Sequence, residues 1–534
     1  MAALTESQRL AVESPASALC IVAGAGSGKT RVLTLRVARR IRDGEADADH
    51  TAVCTFTRKA AHELRGRLQR YAVPVSTPVS AGGTPGPGVR AGTLHQLALT
   101  LLRRHALDAG RPPPVLAEHR WRTIAAIVGD AATASAVDTE IGWAKARCLT
   151  PAQYSAATLR ADRVVAVTPD QVTEAFTEYE RVLGNRGSLD LDDVLARAAD
   201  LFHGDADFAE RMHWRYRHLS VDEFQDVNPA QFRLIRALLG TRNDLCVVGD
   251  PNQAIYGWNG ADPTLLGRLP EVVPDMAVVR LDENHRSTPQ VVVAASAALG
   301  RSAVSPPRST APDGPMAVVT SFDDGEAEVE GVVSSLLDRS DDGARWSDLA
   351  VLARTHDQLS TMGAALARAG IPYRIAPGPE SPSTEVGAPG SGVRPTSLGA
   401  SSSVNRPNRA GRAGRPSDAG NAVELATFHR AKGLEWQSVY VVGLEEGFVP
   451  IVYAESTETR AEERRLLYVA LTRASRDLHC SWARVRRMGN GRRMDRQPSP
   501  WLAGVARVSR TGNGRITPKD TGRLIAEIRA GLGS

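Results

Sequence analysis

Ala18-Leu-Cys-Ile-Val-Ala23-Gly-Ala-Gly-Ser-Gly-Lys29-Thr30 is the stretch on which the fold turns. Ala18 to Val22 is an apolar run of strand length. Arg31 to Arg42 has the spacing of a helix, with Val32, Leu33, Leu35, Val37, Ala38 and Ile41 apolar. Between them Gly24, Gly26, Ser27 and Gly28 let the backbone curl until its N–H groups face one point. That arrangement is a phosphate cradle. Lys29 reaches the terminal phosphates and Thr30 offers a hydroxyl to Mg²⁺. The strict pattern has glycine where Ala23 stands, but the cradle glycines lie downstream of it.

Working outward, Thr51 to Phe56 predicts a second strand and Lys59 to Arg70 a second helix. Alternating strands and helices predict a parallel α/β sheet. Ser76 to Gly92 reads as a Pro/Gly/Ser loop, and Thr93 to about Leu201 as helical and Ala-rich, without strands. Strand signals return at His218–Val221 and Asp244–Val248. A second α/β block is expected from Ala277–Leu281, with strands at Asp348–Ala353 and Ser438–Val442. The strand Leu219-Ser-Val ends in Asp222-Glu223, which completes a hydrolytic pair: Asp222 to hold Mg²⁺, Glu223 to orient and deprotonate water.

The 534 residues suffice for several domains and a large core without disulfides. Five scattered cysteines with no CxxC pair argue against a disulfide scaffold or a Cys₄ zinc site. No apolar run approaches membrane-spanning length, and the N-terminus lacks the apolar core of a secretory signal, so a cytoplasmic protein with no membrane partner is expected. The net charge of +5 leans only slightly toward nucleic acid. Lysine is scarce: Lys29, Lys59, Lys145, Lys432 and Lys519 are the only five. Residues 376–420 are Gly/Pro/Ser-rich with no aromatic and read as a disordered linker. The six arginines of Arg484–Arg496 suit either a DNA footprint or a solvated basic loop, and a short helix is expected near Thr521–Leu532.

Nine segments in order carry a resemblance. They are Leu4–Val12 just before the glycine-rich turn, Thr55–Leu64 after it, Gly92–His95, Leu189–Asp193, Val221–Asp226, Val248–Gly260, Asn284–Ser287, Thr427–Glu435 and Glu462–Arg473. Together they resemble the UvrD/Rep/PcrA-type superfamily 1 DNA helicases, over about Leu4 to His479. The resemblance implies an α/β fold of two RecA-like P-loop domains, with ATP in the cleft between them and single-stranded DNA across their top. It implies motor domain 1 at 1–104 and 189–276 around a helical insertion at 105–188. Motor domain 2 falls at 277–375 and 421–510, with the linker 376–420 in place of the family's large helical insertion and a tail at 511–534.

Residue by residue, the resemblance makes Gln8 a reader of the adenine edge and puts Arg31 and His285 where the family packs adenine, His285 standing in for a tyrosine. Gln253 matches the γ-phosphate sensor, Glu435 a nucleotide contact, and Arg286 and Arg473 the two arginine fingers. Phe56, Tyr256 and Trp258 match base-stacking positions, and Thr93 and His95 match contacts to the DNA backbone. The family's arginines flanking the tryptophan are here Gly257 and Asn259, which implies a weaker grip through this loop. Lys59 and Lys432 read as phosphate contacts or coupling residues, whereas Trp121, Trp143, Trp214 and Trp482 read as core packing. His62, His105 and His213 lack metal-ligand spacing. The implied activity is an ATP- and Mg²⁺-dependent, 3′–5′ translocase and helicase on single-stranded and 3′-tailed duplex DNA, in repair or recombination with repair proteins as partners. The alternative is an ATP- and DNA-binding regulatory module with little unwinding.

Overall fold

The computed structural model describes residues 4–76, 86–300, 307–376, 420–487 and 492–513. Of the expected linker 376–420, residues 377–419 lie outside them, as does the expected helix at 521–532; Ala376 is buried and its N–H donates to the Leu425 carbonyl. The chain divides into two compact units, Met1–Asp282 and, from Glu283 onward, a second.

In the first unit α1 (Glu6–Glu13) leads to β1 (Ala18–Ala23) and α2 (Lys29–Arg42), then β2 (Thr51–Thr55), α3 (Arg58–Arg70), β3 (Arg90–Thr93) and α4 (Leu94–Asp108). A helical layer follows: β4 (Val115–Leu116), α5 (Arg120–Val128), α6 (Ala131–Ala146), α7 (Pro151–Arg160), α8 (Pro169–Arg186) and β5 (Ser188–Leu189). The chain returns through α9 (Leu191–Gly204), α10 (Ala206–Arg215), β6 (His218–Val221), α11 (Pro229–Leu239), β7 (Leu245–Gly249), α12 (Leu265–Val272) and β8 (Ala277–Leu281). The six-stranded sheet has the order β3-β2-β6-β7-β1-β8, parallel throughout.

Strand alternation sorts this sheet's core into two faces. Ala18, Cys20, Ala52, Cys54, Leu219, Val221, Leu245 and Val247 pack among α4, α9 and α11. Leu19, Ile21, Val53, Cys246 and Val248 pack against α1, α2 and α3. Both faces are covered, as an all-parallel sheet requires. Helices α5–α8 gather a separate apolar cluster that includes Ile124, Val137, Trp143, Tyr154, Phe176 and Tyr179. Buried Lys145 on α6 donates to Asp190 and Asp193, each at 2.8 Å, tying this layer to the start of α9. The pair β4–β5 closes its root.

Several elements differ from the sequence reading. Ala277–Leu281 does not open the second block: it pairs with β1 and forms the edge of the first sheet. Its local pattern is that of any strand, and sheet membership is set by a pairing more than 250 residues away in sequence. Arg90–Thr93, inside the segment read as a loop up to Gly92, is the opposite edge strand. The region read as free of strands holds β4 and β5, two residues each. Trp143 is buried, as read, but Trp121 and Trp214 are exposed. Trp214 lies on the surface of α10 under the Arg217 guanidinium, 4.2 Å away.

The second unit comprises β9 (Glu283–Asn284), α13 (Pro289–Leu299), β10 (Arg308–Ser309), β11 (Val318–Phe322), α14 (Gly325–Asp341), β12 (Leu349–Ala353), α15 (His356–Arg368) and β13 (Tyr373–Ile375). It continues with β14 (Val423–Thr427), β15 (Trp436–Val441), α16 (Thr457–Leu471), β16 (Ala474–Ala483), β17 (Val485–Arg487), β18 (Arg493–Asp495), α17 (Leu502–Ala506) and β19 (Arg510–Asn513). Its sheet, β13-β14-β12-β15-β16-β11-β19, is again parallel throughout. The first residues of the segment read as a tail thus join the sheet as β19. Part of the basic segment forms the antiparallel ribbon β17–β18. Arg486 there is bound by the buried carboxylates of Glu328 and Glu445, and Arg484 pairs with Asp323. Among the described residues no helix is long and apolar enough to cross a membrane.

At the start of β7, Asp244 accepts two hydrogen bonds from Arg40, each at 2.9 Å, and faces His218 Nδ1 at 2.8 Å. Burial pushes this carboxyl up, but the bonds to Arg40 and His218 outweigh it and hold its pKa at about 2. A carboxylate lowered in the folded state stabilises the fold above its unfolded pKa near 4 and loses that contribution as pH falls toward 2. Asp244→Asn is therefore expected to lower stability by about 2 kcal/mol at neutral pH, with the deficit shrinking between pH 4 and 2. Urea unfolding followed by circular dichroism across that range checks this, and a pH-independent deficit would contradict it.

Candidate functional site

Because the first sheet is parallel, the segments that leave its strands emerge at one edge. After β1, Ser27 Oγ donates to the Gly24 carbonyl at 2.8 Å, and Gly28 adopts a left-handed φ of 81° as the cap of α2. A side chain at Gly28 would be strained, and its Cβ would stand 3.2 Å from Gln8 Nε2. Gln8 is buried over this turn and donates from Nε2 to the Ser27 carbonyl at 3.0 Å. Its position is fixed from behind by Arg36 of α2. This buried guanidinium donates to the carbonyls of Ala11, Ser14 and Ala16 and pins the end of α1.

Asp222 and Glu223 follow β6. Thr30 Oγ1 donates to Asp222 Oδ2 at 2.8 Å, so the cradle and the acidic strand end meet directly. Burial first, and then the neighbouring Glu223, push Asp222 up to about 6, while Thr30 and Lys29 act in the other direction. Asp250, after β7, is likewise raised by burial and opposed chiefly by Lys29. A positive charge added here would relieve two buried carboxyls at once. The donor set fits a hard divalent cation: one hydroxyl and one carboxylate, both oxygen. Among the described residues no group of three His, Cys, Asp or Glu is arranged to hold a metal ion, so such a cation would complete its shell with phosphate oxygens or water.

Glu223 has φ 54°, left-handed backbone that a glutamate adopts only under constraint. Its carboxylate accepts from Gln225 Nε2, and Gln225 Oε1 accepts from the Asp250 backbone N–H at 2.9 Å. Gln253 Nε2 donates to Asp250 Oδ2 at 2.6 Å. A chain of contacts thus joins Glu223, Gln225, Asp250 and Gln253. The sequence does not single out Gln225 or Asp250, since nothing local distinguishes a bridging amide or a buried acid from its exposed counterpart.

Farther along the same edge, Phe56 at the end of β2 stacks on Tyr256, with centroids 5.3 Å apart and an interplanar angle of 17°. Trp258 is 42% exposed, unlike the buried Trp143. Thr93 caps α4, its hydroxyl accepting from the Gln96 N–H at 3.2 Å, which commits that group to the helix start. His95 lies in the first turn of α4, and burial holds its imidazole below the ordinary pKa and neutral.

Arg31 stands in the first turn of α2, and the remaining expected site residues lie in the second unit. Arg286 pairs with Glu435, and His285 Nδ1 lies 2.8 Å from the Thr310 hydroxyl. Arg473 is buried: it donates from Nε to the Val469 carbonyl at 2.8 Å, from Nη1 to the Leu434 carbonyl at 3.2 Å and from Nη2 to the Thr472 hydroxyl. The Trp436 N–H donates to the Arg473 carbonyl, and Ser287 Oγ to that of Ala474. Arg286, Glu435 and Arg473 are thereby gathered where β15 and β16 begin. Of the lysines paired with motifs, Lys59 is exposed on α3 and Lys432 is half-buried.

Comparison with known proteins matches the UvrD/REP helicase N-terminal domain over residues 4–274 and the UvrD-like helicase C-terminal domain over 279–378 and 411–485. The chain is similar to the ATP-dependent DNA helicase UvrD2 of Mycobacterium tuberculosis (strain H37Rv), at 34% identity over 96% of this chain and 82% of that protein. It is 29% identical to DNA helicase II of Escherichia coli (strain K12), over 70% of this chain and 51% of that protein. It is 31% identical to the ATP-dependent DNA helicase PcrA of Leuconostoc citreum, over 70% of this chain and 50% of that one.

The left-handed backbone at Glu223 has a consequence for stability. Glycine tolerates that conformation and alanine does not, so Glu223→Gly is expected to be more stable than Glu223→Ala by roughly 1 kcal/mol. Urea titration of the two variants measures the difference, and equal or reversed midpoints would contradict it.

Proposed function

The chain belongs to the UvrD-type family of ATP-dependent DNA helicases, and on that premise we propose that it is a single-stranded DNA translocase and 3′–5′ helicase, driven by ATP with Mg²⁺ and acting in DNA repair or recombination. The observation that carries this reading furthest is the meeting of Thr30 with Asp222 on the sheet edge that also bears Phe56, Tyr256 and Trp258. Fuel chemistry and a sequence-tolerant grip on bases then share one rigid frame.

In this reading Lys29 and the N–H groups of Gly24–Thr30 hold the phosphates, and Gln8, Arg31 and His285 receive the adenine. Thr30 and Asp222 hold Mg²⁺, which when bound neutralises charge on the phosphate oxygens. Glu223 takes the proton of the attacking water, and its link through Gln225 to Asp250 and Gln253 ties that base to the residue reporting the γ-phosphate. Arg286, Arg473 and Glu435 supply the second unit's contacts to nucleotide, the arginines donating to charge that grows on the γ-phosphoryl oxygens. Bases stack on Tyr256 and Trp258, with Phe56 behind Tyr256, while Thr93 and His95 line the strand's backbone. In this reading the first α/β unit is motor domain 1 with the helical layer as its insertion, and the second unit is motor domain 2. With 376–420 in place of the family's insertion, translocation is expected to outlast processive unwinding.

Phosphate release with and without oligo-dT tests the activity: strong stimulation is expected, and none would favour the regulatory module. Glu223→Gln is expected to bind ATP but to turn it over at least 10²-fold more slowly. Unwinding of 3′-tailed but not 5′-tailed duplexes is the expected polarity, and the reverse preference would overturn the direction assigned.

A further inference from the structure

Behind Trp258 stands a set of contacts that the motor reading does not use. The turn Gly257–Asn259 and the following Gly260 lie against α6 of the helical layer. Gly260 has φ 87°, and a Cβ there would stand 2.5 Å from Ala146 Cβ and 3.3 Å from the Trp143 carbonyl oxygen. Only glycine permits that approach. Also on α6, Glu140 is buried and accepts from the Tyr154 hydroxyl at 2.8 Å. It accepts a forked pair of bonds from Arg163, at 2.8 Å from Nε and 2.9 Å from Nη2. The Arg163 guanidinium lies 4.8 Å from the Trp143 ring centroid. Its Nη2 also donates, at 3.1 Å, to the main-chain carbonyl of Trp258.

The chain is turned deliberately to deliver this guanidinium. Helix α7 ends through Asp162, which has a left-handed φ of 46°, and the Arg163 N–H donates back to the Thr158 carbonyl at 3.2 Å. This is the closing bond of a helix-ending motif that usually employs glycine.

We propose that Arg163 is a positioning residue for the DNA grip: clamped by Glu140 and Trp143, it fixes the main chain of Trp258 so that the indole presents its face to a base of single-stranded DNA. The inference rests on the reading of Trp258 as a base contact and deepens it. A charged donor on a main-chain carbonyl is stronger than a neutral one. Its own freedom is already spent on the buried glutamate, so the loop need not be ordered when DNA arrives. The two neighbours of Trp258, Gly257 and Asn259, bring no charge to the loop. The guanidinium comes instead from the connection between α7 and α8. The helical layer, which folds around its own apolar cluster, thereby sets the stiffness of the grip.

The test compares wild type with Arg163→Ala, Arg163→Lys, Trp258→Ala and the Arg163→Ala/Trp258→Ala double variant in the full chain. Two readouts serve: the oligo-dT concentration giving half-maximal ATPase stimulation, and the change in fluorescence of 2-aminopurine placed in the oligonucleotide, which reports base stacking. Arg163→Ala is expected to raise the DNA requirement about tenfold, equivalent to ~1.4 kcal/mol and within the range of one stacked base. Arg163→Lys is expected to recover part of this, since an ammonium lacks the planar fork that holds Glu140 and the Trp258 carbonyl together. The double variant is expected to match Trp258→Ala alone. A silent Arg163→Ala, or effects that multiply in the double variant, overturns the positioning role while leaving Trp258 as a base contact. A silent Trp258→Ala overturns the base contact itself and the inference with it. Should Arg163→Ala fail to fold, Arg163→Lys and Glu140→Gln keep the packed volume and carry the same comparison.

Discussion

A parallel sheet puts every strand's carboxyl end on the same edge, and in the first unit six strands obey that constraint. Residues from far-apart points of the chain then need no special device to meet. The turn after β1, Asp222 after β6 and Asp250 after β7 are brought together by the sheet order β6-β7-β1, and Phe56 and Thr93 are delivered beside them by β2 and β3. The Thr30–Asp222 contact is the visible product of that order. A change of one strand's place would separate the glycine-rich turn from its acidic partner, whatever the local sequence.

The edge is kept under tension. Two acids are buried there, with Lys29 as a counter-charge to both, and Glu223 sits in strained backbone. Elsewhere buried cations are matched to several acceptors: Arg36 takes three carbonyls, Lys145 three carboxylates, and Arg486 two glutamates. The contrast has a physical meaning. Cations matched to several acceptors hold the fold in one register, whereas the two buried carboxyls of the sheet edge, with one lysine between them, favour added positive charge. The glutamine that joins Glu223 to Asp250 makes the two strand ends one polar unit, so a change at either is felt at the other.

The strand, glycine turn and helix of Ala18–Arg42 were legible in the sequence because each is decided by neighbours within a turn or two. Asp222-Glu223 was legible because a short apolar strand ending in two acids is a local pattern. What escaped was non-local. Ala277–Leu281 read correctly as a strand but was assigned to the wrong sheet, since no local feature records its partner. Trp121 and Trp214 read as core and lie at the surface, because a lone tryptophan carries no period to reveal its face. Gln225 lies within Val221–Asp226, where nothing in the sequence signals its two partners. Arg163 was one arginine among dozens, and only the folded chain brings it to Glu140 and Trp258. The basic run from Arg484 looked uniform, yet Arg486 in it is matched to two buried acids.

On the proposed function, one sheet edge carries both the nucleotide cradle and the DNA grip. Hydrogen exchange read by mass spectrometry tests it directly, on the protein alone, with a non-hydrolysable ATP analogue, with oligo-dT, and with both. The nucleotide is expected to protect the peptides spanning Gly24–Thr30 and Asp222–Asp226, and oligo-dT those spanning Phe56 and Ala254–Gly260. Protection by oligo-dT confined to other surfaces, with the Ala254–Gly260 peptide unchanged, would contradict it.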